Sequence, residues 1–366
     1  GAGKLGLPYT TTPDTFANYE LVSATPANHS GNYPPAGNDI TVTYVYKRKN
    51  SGNITVNHYE AGTTNQLYKP AGATAPSAQT FDGTGKLGLS ENLTNKEADI
   101  ANYEFVNVDV TGASGASTPT ASGDTTVTYQ TGNQVVNYYY KRKDAANITI
   151  HHVEDGTTTE LYTPAGAAGP SAEVISGSGK LGTNENLTNK SADIANYEFV
   201  SVDVSGAPSA TTPSATGATT LTHGNSPQTV IYKYRRKDVG NVIVHHYEQG
   251  TTTPVSPDEN LSGVGKSGLT YTTSPATVAN YTVVSSTPTD HTGTYQNTVT
   301  TVVTYEYKRN DAGNVIVHHY EDGTTTPLVP DITMNGTGKL GLPYTTTDQN
   351  IPNFTLVSTP ANQNGT

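Results

Sequence analysis

The strongest constraint on the fold of this chain is internal repetition at a long period. A strand-like block that begins with Asn occurs four times, and its copies start 94, 94 and 73 residues apart. The four starts are Asn53, Asn147, Asn241 and Asn314. Periods of this size correspond to small domains, so we expect a tandem array in which each repeat buries its own core.

Three further blocks recur in the same order and divide the chain into units. They are a Gly-Lys block, an Asn-aromatic pair and a closing Tyr-Lys-Arg block. Residues 336–366 repeat residues 1–31, so we expect a fragment of a longer array that is cut out of phase with its own unit. The predicted units are a partial N-terminal segment (1–52), a first long module (53–146), a second long module (147–240), a short module (241–313) and a partial C-terminal segment (314–366).

The composition favours several small β modules over one large domain. Hydrophobic residues make up 33% of the 366 residues, and 36 Gly and 22 Pro are present. The typical hydrophobic share is about 45–50%, so one large core would lack the apolar surface to offset chain entropy. Runs of β-branched and aromatic residues such as Val242-Ile-Val-His-His-Tyr predict strands. We therefore expect a mainly β protein.

The long and short modules differ in stretches rich in Pro, Ala, Gly, Ser and Thr. Examples are residues 69–77 and 111–124, which we interpret as elongated surface loops. The best helical candidate is short, at residues 94–100. Only about four residues separate the first long module's last block from Asn147, which predicts a stiff row of modules.

Charge and residue usage exclude several classes of partner and cofactor. The net charge of −11 repels nucleic acid, and the absence of Cys excludes disulfides and Cys-based zinc or redox sites. No apolar run approaches the ~20 residues of a membrane helix, so we expect no membrane insertion in this fragment. No secretion signal or wall-sorting tail is evident, and we expect no cofactor.

The ordered blocks resemble the mucin-binding protein (MucBP) repeat of Gram-positive surface adhesins. They read VIVHHYEDGTTTPL from Val315, GTGKLGLPYTT from Gly336, ANYELVS from Ala17 and TVTYVYKRK from Thr41. The resemblance covers nearly the whole chain in about four copies. It implies ubiquitin-like β-grasp modules arranged as an elongated rod on a bacterial cell wall. It also implies attachment to mucin or other host glycoproteins.

Other repeated motifs have a structural and a chemical interpretation. A Gly-x-Gly-x-x-Gly pattern occurs five times, but no helix pattern follows it, so we interpret it as a turn rather than a phosphate loop. His pairs such as His245-His246 alternate faces of a strand and cannot chelate one metal. We expect one half-buried and one exposed His in each pair. The Glu321-Asp322-Gly323 sequence predicts a hairpin turn more than a calcium site.

The closing blocks are the candidate ligand-binding residues. Their basic side chains suit sialylated or sulfated glycans, with Tyr rings stacking on sugars. The alternative is that each cluster faces acidic residues at the start of the next module. The twelve residues are Tyr46, Lys47, Arg48, Tyr140, Lys141, Arg142, Tyr234, Arg235, Arg236, Tyr307, Lys308 and Arg309.

The sequence favours a structural function over a catalytic one. It contains no nucleophile elbow and no paired carboxylates in a defined context. The first hypothesis is a non-enzymatic stalk of a bacterial surface adhesin or fibre. Two alternatives stay open. The modules bind mucin glycans with avidity, or exposed strand edges assemble the array into an extracellular filament.

Overall fold

The chain folds into a series of small β-sheets with almost no helix. The computed structural model describes residues 3–22, 26–284, 287–296 and 298–366. Within these residues, the one helical element is a 3₁₀ turn at Glu97–Asp99. The prediction of a mainly β protein built from repeated small modules is confirmed.

Strands occur in every unit. In the N-terminal segment they are β1 (Pro8–Thr10), β2 (Tyr19–Leu21), β3 (Ser30–Asn32) and β4 (Tyr46–Arg48). The first long module has β5 (Ile54–Glu60), β6 (Gln79–Phe81), β7 (Ser90–Leu93), β8 (Tyr103–Asp109), β9 (Thr125–Thr128) and β10 (Gln134–Arg142). The second has β11 (Ile148–Glu154), β12 (Glu173–Ile175), β13 (Asn184–Leu187), β14 (Tyr197–Asp203), β15 (Thr219–Thr222) and β16 (Gln228–Arg236).

The short module and the C-terminal segment continue the series. The short module has β17 (Val242–Glu248), β18 (Pro254–Leu261), β19 (Thr270–Thr272), β20 (Tyr281–Val283), β21 (Thr292–Thr294) and β22 (Thr301–Arg309). The C-terminal segment has β23 (Val315–Val317), β24 (Ile332–Met334), β25 (Tyr344–Thr345) and β26 (Asn364–Gly365).

Three units share one sheet topology. In the first long module the order is β6-β5-β10-β8, and β7 pairs with β9 in a separate ribbon. The second long module repeats this as β12-β11-β16-β14, and the short module as β18-β17-β22-β20. The central pair of each sheet is parallel, and it joins the first strand of the module to the last. The chain therefore enters and leaves each module at opposite ends of its sheet.

Tyrosine fills much of the core in this apolar-poor chain. On β10 the residues alternate between the two faces, and Val136, Tyr138 and Tyr140 are fully buried. The Tyr138 hydroxyl donates to the Gly123 carbonyl at 3.0 Å. A buried Tyr supplies a large apolar area, and its hydroxyl must find a partner. The Tyr ring thus supplies the buried apolar area that Phe or Leu supplies in other cores. Its hydroxyl bonds the sheet to the loop that covers it.

Of the two stretches that we interpreted as surface loops, residues 111–124 also cover the core. Ala116 packs against the core of the first long module and Ala113 is 3% exposed, whereas residues 69–77 are exposed or half-buried. The second long module uses the equivalent residues. These stretches fold back over the sheet because they carry the apolar side chains that cover it. The stretch at residues 111–124 therefore enlarges the core as well as the surface.

The helical expectation at residues 94–100 holds for one short turn. The Asn95 side chain accepts the Glu97 backbone N–H at 2.9 Å, which starts the turn. Glu97 then accepts the Phe105 N–H at 3.0 Å and so joins the turn to β8. The turn ends after Asp99, and Ile100 already has an extended backbone.

Burial on β10 yields a matched pair of variants. Val136→Ala should lower the free energy of opening of this strand by about 2 kcal/mol, because it removes two buried methyl groups and leaves a cavity. Val135→Ala, the same change at a residue 37% exposed on the opposite face, should have little effect. Hydrogen-exchange mass spectrometry of β10 peptides in the full chain measures both. Equal losses would contradict this placement of the core.

Candidate functional site: the junctions between modules

The last residue of each closing block lies at the boundary with the following unit. Arg142 ends β10, and its guanidinium carbon is 4.5 Å from the centroid of the Tyr103 ring. One guanidinium nitrogen donates to the Tyr103 hydroxyl at 2.7 Å. The other donates to the Leu181 carbonyl of the second long module at 3.0 Å. The planar guanidinium fork therefore joins one module to the next.

The same arrangement occurs at each of the other three boundaries. Arg48, Arg236 and Arg309 lie over a Tyr ring at 4.7, 4.6 and 4.4 Å from its centroid. They donate to a carbonyl of the next unit at 2.8, 2.7 and 3.2 Å. The ring and carbonyl partners are Tyr19 and Leu87, Tyr197 and Ser267, and Tyr281 and Leu340.

Backbone hydrogen bonds reinforce the junction. The Lys143 N–H donates to the Asn102 carbonyl at 2.9 Å, and the Leu181 N–H donates to the Lys143 carbonyl at 3.1 Å. The linker side chain of Asp144 accepts the Gly179 N–H at 2.7 Å. This bond to a backbone N–H lowers the pKa of Asp144. The short linker is thus held to the following module along its length.

A left-handed Asn forms the other half of the contact. Asn102 has φ of 67°, in a region that L-residues other than Asn and Asp avoid. A Cβ added to Gly182, across the boundary, would collide with the Asn102 amide. The Asn side chain can approach this closely only because a Gly faces it. The other junctions repeat the Asn–Gly contact as Asn18 with Gly88, Asn196 with Gly268 and Asn280 with Gly341, and Asn196 and Asn280 also have positive φ.

In three of the four clusters the first basic residue forms an ion pair within its own unit. Lys141 lies 2.9 Å from Glu104 on the neighbouring strand, and Arg235 lies 2.6 Å from Glu198. These hydrogen-bonded carboxylates raise the pKa of both basic groups. The remaining members are Lys47, which pairs with Glu20 at 3.0 Å, and Lys308, which lies opposite Thr282. The acidic partners therefore belong to the same sheet and not to the next module.

The tyrosines that open the closing blocks point inward. Tyr140, Tyr234 and Tyr307 are at most 1% exposed, and Tyr46 is half-buried. In the three complete modules these rings present no face to solvent. Their hydroxyl groups instead hold a buried His on the first strand of the module. Glycan binding by the twelve residues stays a prediction. The Arg that ends each closing block bonds to the next unit instead, at Arg48, Arg142, Arg236 and Arg309.

The His pairs are more buried than we had predicted. His58, His152 and His246 are 0% exposed, and each Nδ1 lies 2.8–2.9 Å from a Tyr hydroxyl. Their preceding neighbours in the second long and short modules, His151 and His245, are half-buried beside a carboxylate. Burial lowers the pKa of His58 and His152 to about 4, and a nearby Lys contributes. In each of the three complete modules one His is therefore a neutral core residue, whereas His319 of the C-terminal segment is only half-buried.

The remaining sequence motifs form turns. Gly85 and Gly88 have φ of 67° and 78°, as tight turns require, and the Glu321-Asp322-Gly323 sequence also forms a turn. Over the described ranges, no group of three or more His, Asp or Glu is placed to hold a metal ion. None of the helices described there is long and apolar enough to cross a membrane.

Sequence reasoning missed the role of the Asn-aromatic pair. The Asn side chain contacts a Gly of the next unit's Gly-Lys block, and the Tyr ring stacks under the Arg of the closing block. The Arg bonds to a backbone carbonyl in that same Gly-Lys block. One signal was present. The Asn, the Arg and the Gly recur at the same period, which indicates a contact repeated at every boundary.

The topology and the junctions together define a tandem repeat protein of small β modules. The family model described as MucBP domain matches residues 1–47, 53–141, 147–235, 241–308 and 314–366. The matches cover nearly the whole chain. The chain belongs to the MucBP domain family.

Two curated relatives and several solved structures are similar to the chain. Internalin J of Listeria monocytogenes serotype 4b (strain F2365) is 28% identical over 370 residues, which cover 100% of this chain and 34% of that protein. Internalin J of serovar 1/2a (strain ATCC BAA-679 / EGD-e) is 29% identical over 283 residues, covering 76% of this chain and 28% of that protein. The chain thus spans about a third of the length of these relatives.

Among solved structures, the Bacillus anthracis TIE protein has a TM-score of 0.39 and 9% identity. That similarity covers 73% of this chain and 55% of the TIE chain. The type 2 repeat of the mucus binding protein MUB from Lactobacillus reuteri has a TM-score of 0.15 and 14% identity, over 45% of this chain and 100% of the repeat.

The junction can be disrupted without changing either core. Gly182→Ala should loosen the contact between the two long modules, because its Cβ would displace Asn102. Gly179→Ala is the matched control, since it also has positive φ but meets no atom within 4 Å. Residual dipolar couplings of the full chain should fit one alignment tensor for the two modules in the control and two tensors in Gly182→Ala. One shared tensor in both variants would contradict the role of this contact.

The buried His predicts acid sensitivity with a defined sign. The unfolded chain takes up a proton on His near pH 6.5, but folded His152 does so only near pH 4. The stability contributed by neutral His152 is therefore present above pH 6.5 and is lost as pH falls towards 4. Between pH 7 and pH 5 the second long module should lose about 2 kcal/mol from this residue.

Urea unfolding followed by amide NMR signals of each module in the full chain measures this loss. His152→Gln should remove the loss in the second long module between pH 7 and pH 5. His318→Gln, at a residue whose side chain is 43% exposed, should leave that module's pH dependence unchanged. An unchanged slope in His152→Gln would overturn the assignment.

Proposed function

We propose that the chain is part of the non-enzymatic stalk of a bacterial surface adhesin or fibre. In this proposal, modules of the ubiquitin-like β-grasp type stand end to end as an elongated rod with the unit boundaries predicted above. The observation that carries the proposal is the junction of Arg, Tyr and next-unit carbonyl, which recurs at all four boundaries.

The direction of the strands supports an end-to-end arrangement. The parallel pair of β5 and β10 places the entry and exit of a module at opposite ends of the sheet. A strand of nine residues is about 30 Å long, so each module would advance the chain by about that distance. An antiparallel first and last strand would instead return the chain to its starting side.

The junction supports stiffness. A flexible linker would let neighbouring modules rotate freely, but here the Arg fork, the Lys143 backbone and the Asp144 carboxylate all contact the following module. Exposed ion pairs are weak, yet these groups bond to fixed backbone positions and act together. Combined contacts of this kind restrict hinge motion and suit a spacer.

The family match and the internalin relatives support an extracellular location. We propose that the chain is displayed on the bacterial cell surface and attached to the wall through regions outside this fragment. The stalk would hold an adhesive region away from the cell wall, or it would itself mediate attachment to host or mucus glycoproteins. The second candidate is direct binding of mucin glycans by each module with avidity, and the solvent-exposed Lys47, Lys141 and Lys308 favour it. The third is assembly into an extracellular filament.

Small-angle X-ray scattering of the dilute chain tests the stalk. A compact globule of 366 residues has a radius of gyration of about 21 Å. Modules in an end-to-end row, each about 30 Å long, should give roughly twice that value. Gly182→Ala should broaden the distribution of dimensions, whereas Gly179→Ala should preserve it. A radius near that of a globule would rule out the rod.

A glycan array distinguishes a stalk that only spaces another domain from modules that bind glycans themselves. The full chain and a variant with Lys47, Lys141 and Lys308 all changed to Gln are applied at equal concentration. A pure stalk gives no signal from either. Signal from the full chain that disappears in the triple variant favours direct glycan binding by the basic clusters.

A further inference from the structure

Tension along the chain would pull the first and last strands of a module in opposite directions. In the first long module, β5 pairs in parallel with residues 134–140 of β10, in seven directly opposed pairs. The chain enters the module at the start of β5 and leaves it at the end of β10. A pull on the chain therefore draws β5 towards its start and β10 towards its end, and the two strands slide along each other.

Sliding loads all the hydrogen bonds of this strand pair together. The bonds run between the strands, across the direction of the pull, so none is released before the strands move as whole units. If the first and last strands were antiparallel, their loaded ends would lie side by side and the pairs would open one at a time. One backbone hydrogen bond contributes only about 0.5–1.5 kcal/mol to stability, so resistance to force depends on breaking many of them at once.

The hydrogen bonds continue past both ends of β5. Before this strand, the Gly52 N–H donates to the Gln130 carbonyl at 2.8 Å. After it, the Ala61 N–H donates to the Tyr140 carbonyl at 2.7 Å. The two points at which a pull enters the strand pair are therefore bonded across the pair, which opposes fraying from its ends.

A buried side-chain contact between the two strands opposes sliding as well. The Tyr140 hydroxyl accepts the Lys96 N–H at 2.7 Å, so its own hydrogen is free to donate to Nδ1 of His58 on β5, 2.9 Å away. The His58 ring also stacks on Tyr138, with ring centroids 5.1 Å apart. A slip of one residue would turn the buried faces to solvent, and a slip of two would move the strands by about 6.6 Å and break the His–Tyr bond.

The other two complete modules repeat the arrangement. β11 pairs in parallel with β16, and β17 with β22, again in seven pairs each. The His–Tyr bond recurs between His152 and Tyr234 at 2.8 Å and between His246 and Tyr307 at 2.9 Å. We call the parallel pair with its His–Tyr bond the shear clamp of a module. Three shear clamps therefore follow one another along the chain.

We propose that the complete modules carry tension and that the shear clamp is the part of each module that resists it. The chain would then transmit a pulling force from one module to the next without unfolding, which a passive spacer does not require. The inference goes beyond the stalk proposal and does not depend on it, because stiffness concerns bending and the shear clamp concerns stretching. X-ray scattering tests the rod, and pulling experiments test the shear clamp.

The direction of pulling tests the shear clamp in the full chain. Optical tweezers pull through handles on two introduced thiols, which the Cys-free sequence allows. Lys47→Cys with Lys141→Cys uses exposed, equivalent positions one repeat apart and loads the first long module by sliding. Thr64→Cys with Lys141→Cys uses an exposed residue shortly after β5 and loads the same two strands at one end. The first pair should require a several-fold higher unfolding force at the same loading rate, and equal forces would overturn the proposal.

Two matched variants test the His–Tyr bond in the sliding direction. Tyr140→Phe removes the hydroxyl that bonds His58 on the opposite strand. Tyr138→Phe, also fully buried on β10, removes a hydroxyl that bonds the Gly123 carbonyl in the covering loop. Resistance to force follows the rate of unfolding rather than equilibrium stability, so only Tyr140→Phe should lower the unfolding force. The unfolding step in each trace shows that the module was folded, and the same unfolding force in both variants would refute the role of this bond.

Discussion

The pairing of the first strand of each module with its last strand is the constraint on which the rest of this structure depends. The pairing is parallel, as between β5 and β10, so the two ends of a module lie at opposite ends of one sheet. The chain between those strands must cross over; it supplies the two edge strands, and residues of the second insert and of the small ribbon pack against the sheet. An array with an entry at one end and an exit at the other follows from this single choice.

The junctions are formed by the residues that lie where the chain leaves each module. The last strand delivers an Arg to the boundary, the neighbouring turn delivers an Asn with positive φ, and the Gly-Lys turn of the next unit receives both. The Arg bonds and the Asn–Gly contact are directional and recur at all four boundaries, and the Asn has positive φ at three of them. A chain with few apolar residues can thus connect modules through backbone carbonyls and one planar cation.

Much of the fold was predictable, because its signals are local. Runs of β-branched and aromatic residues such as Val242-Ile-Val-His-His-Tyr predicted strands, and the repeated Gly motif and the Glu321-Asp322-Gly323 sequence predicted turns. The candidate site was predicted less well. The closing blocks were found, but Tyr140 proved to be a core residue and Arg142 a junction residue. The inserts were interpreted as surface loops because their composition is polar, although Ala113 and its neighbours cover the core.

By itself the sequence determined the number, order and length classes of the repeats and their β character, because spacing and alternation are properties of neighbouring residues. Only the tertiary structure decided which face of each strand is buried, which His stays neutral and which basic side chain bonds to the next module. Those outcomes depend on partners such as His58 and Tyr140, which lie far apart along the chain and meet only when the parallel pair forms. The order of neighbouring residues does not show a contact between two strands that are distant in sequence and meet only in the folded sheet.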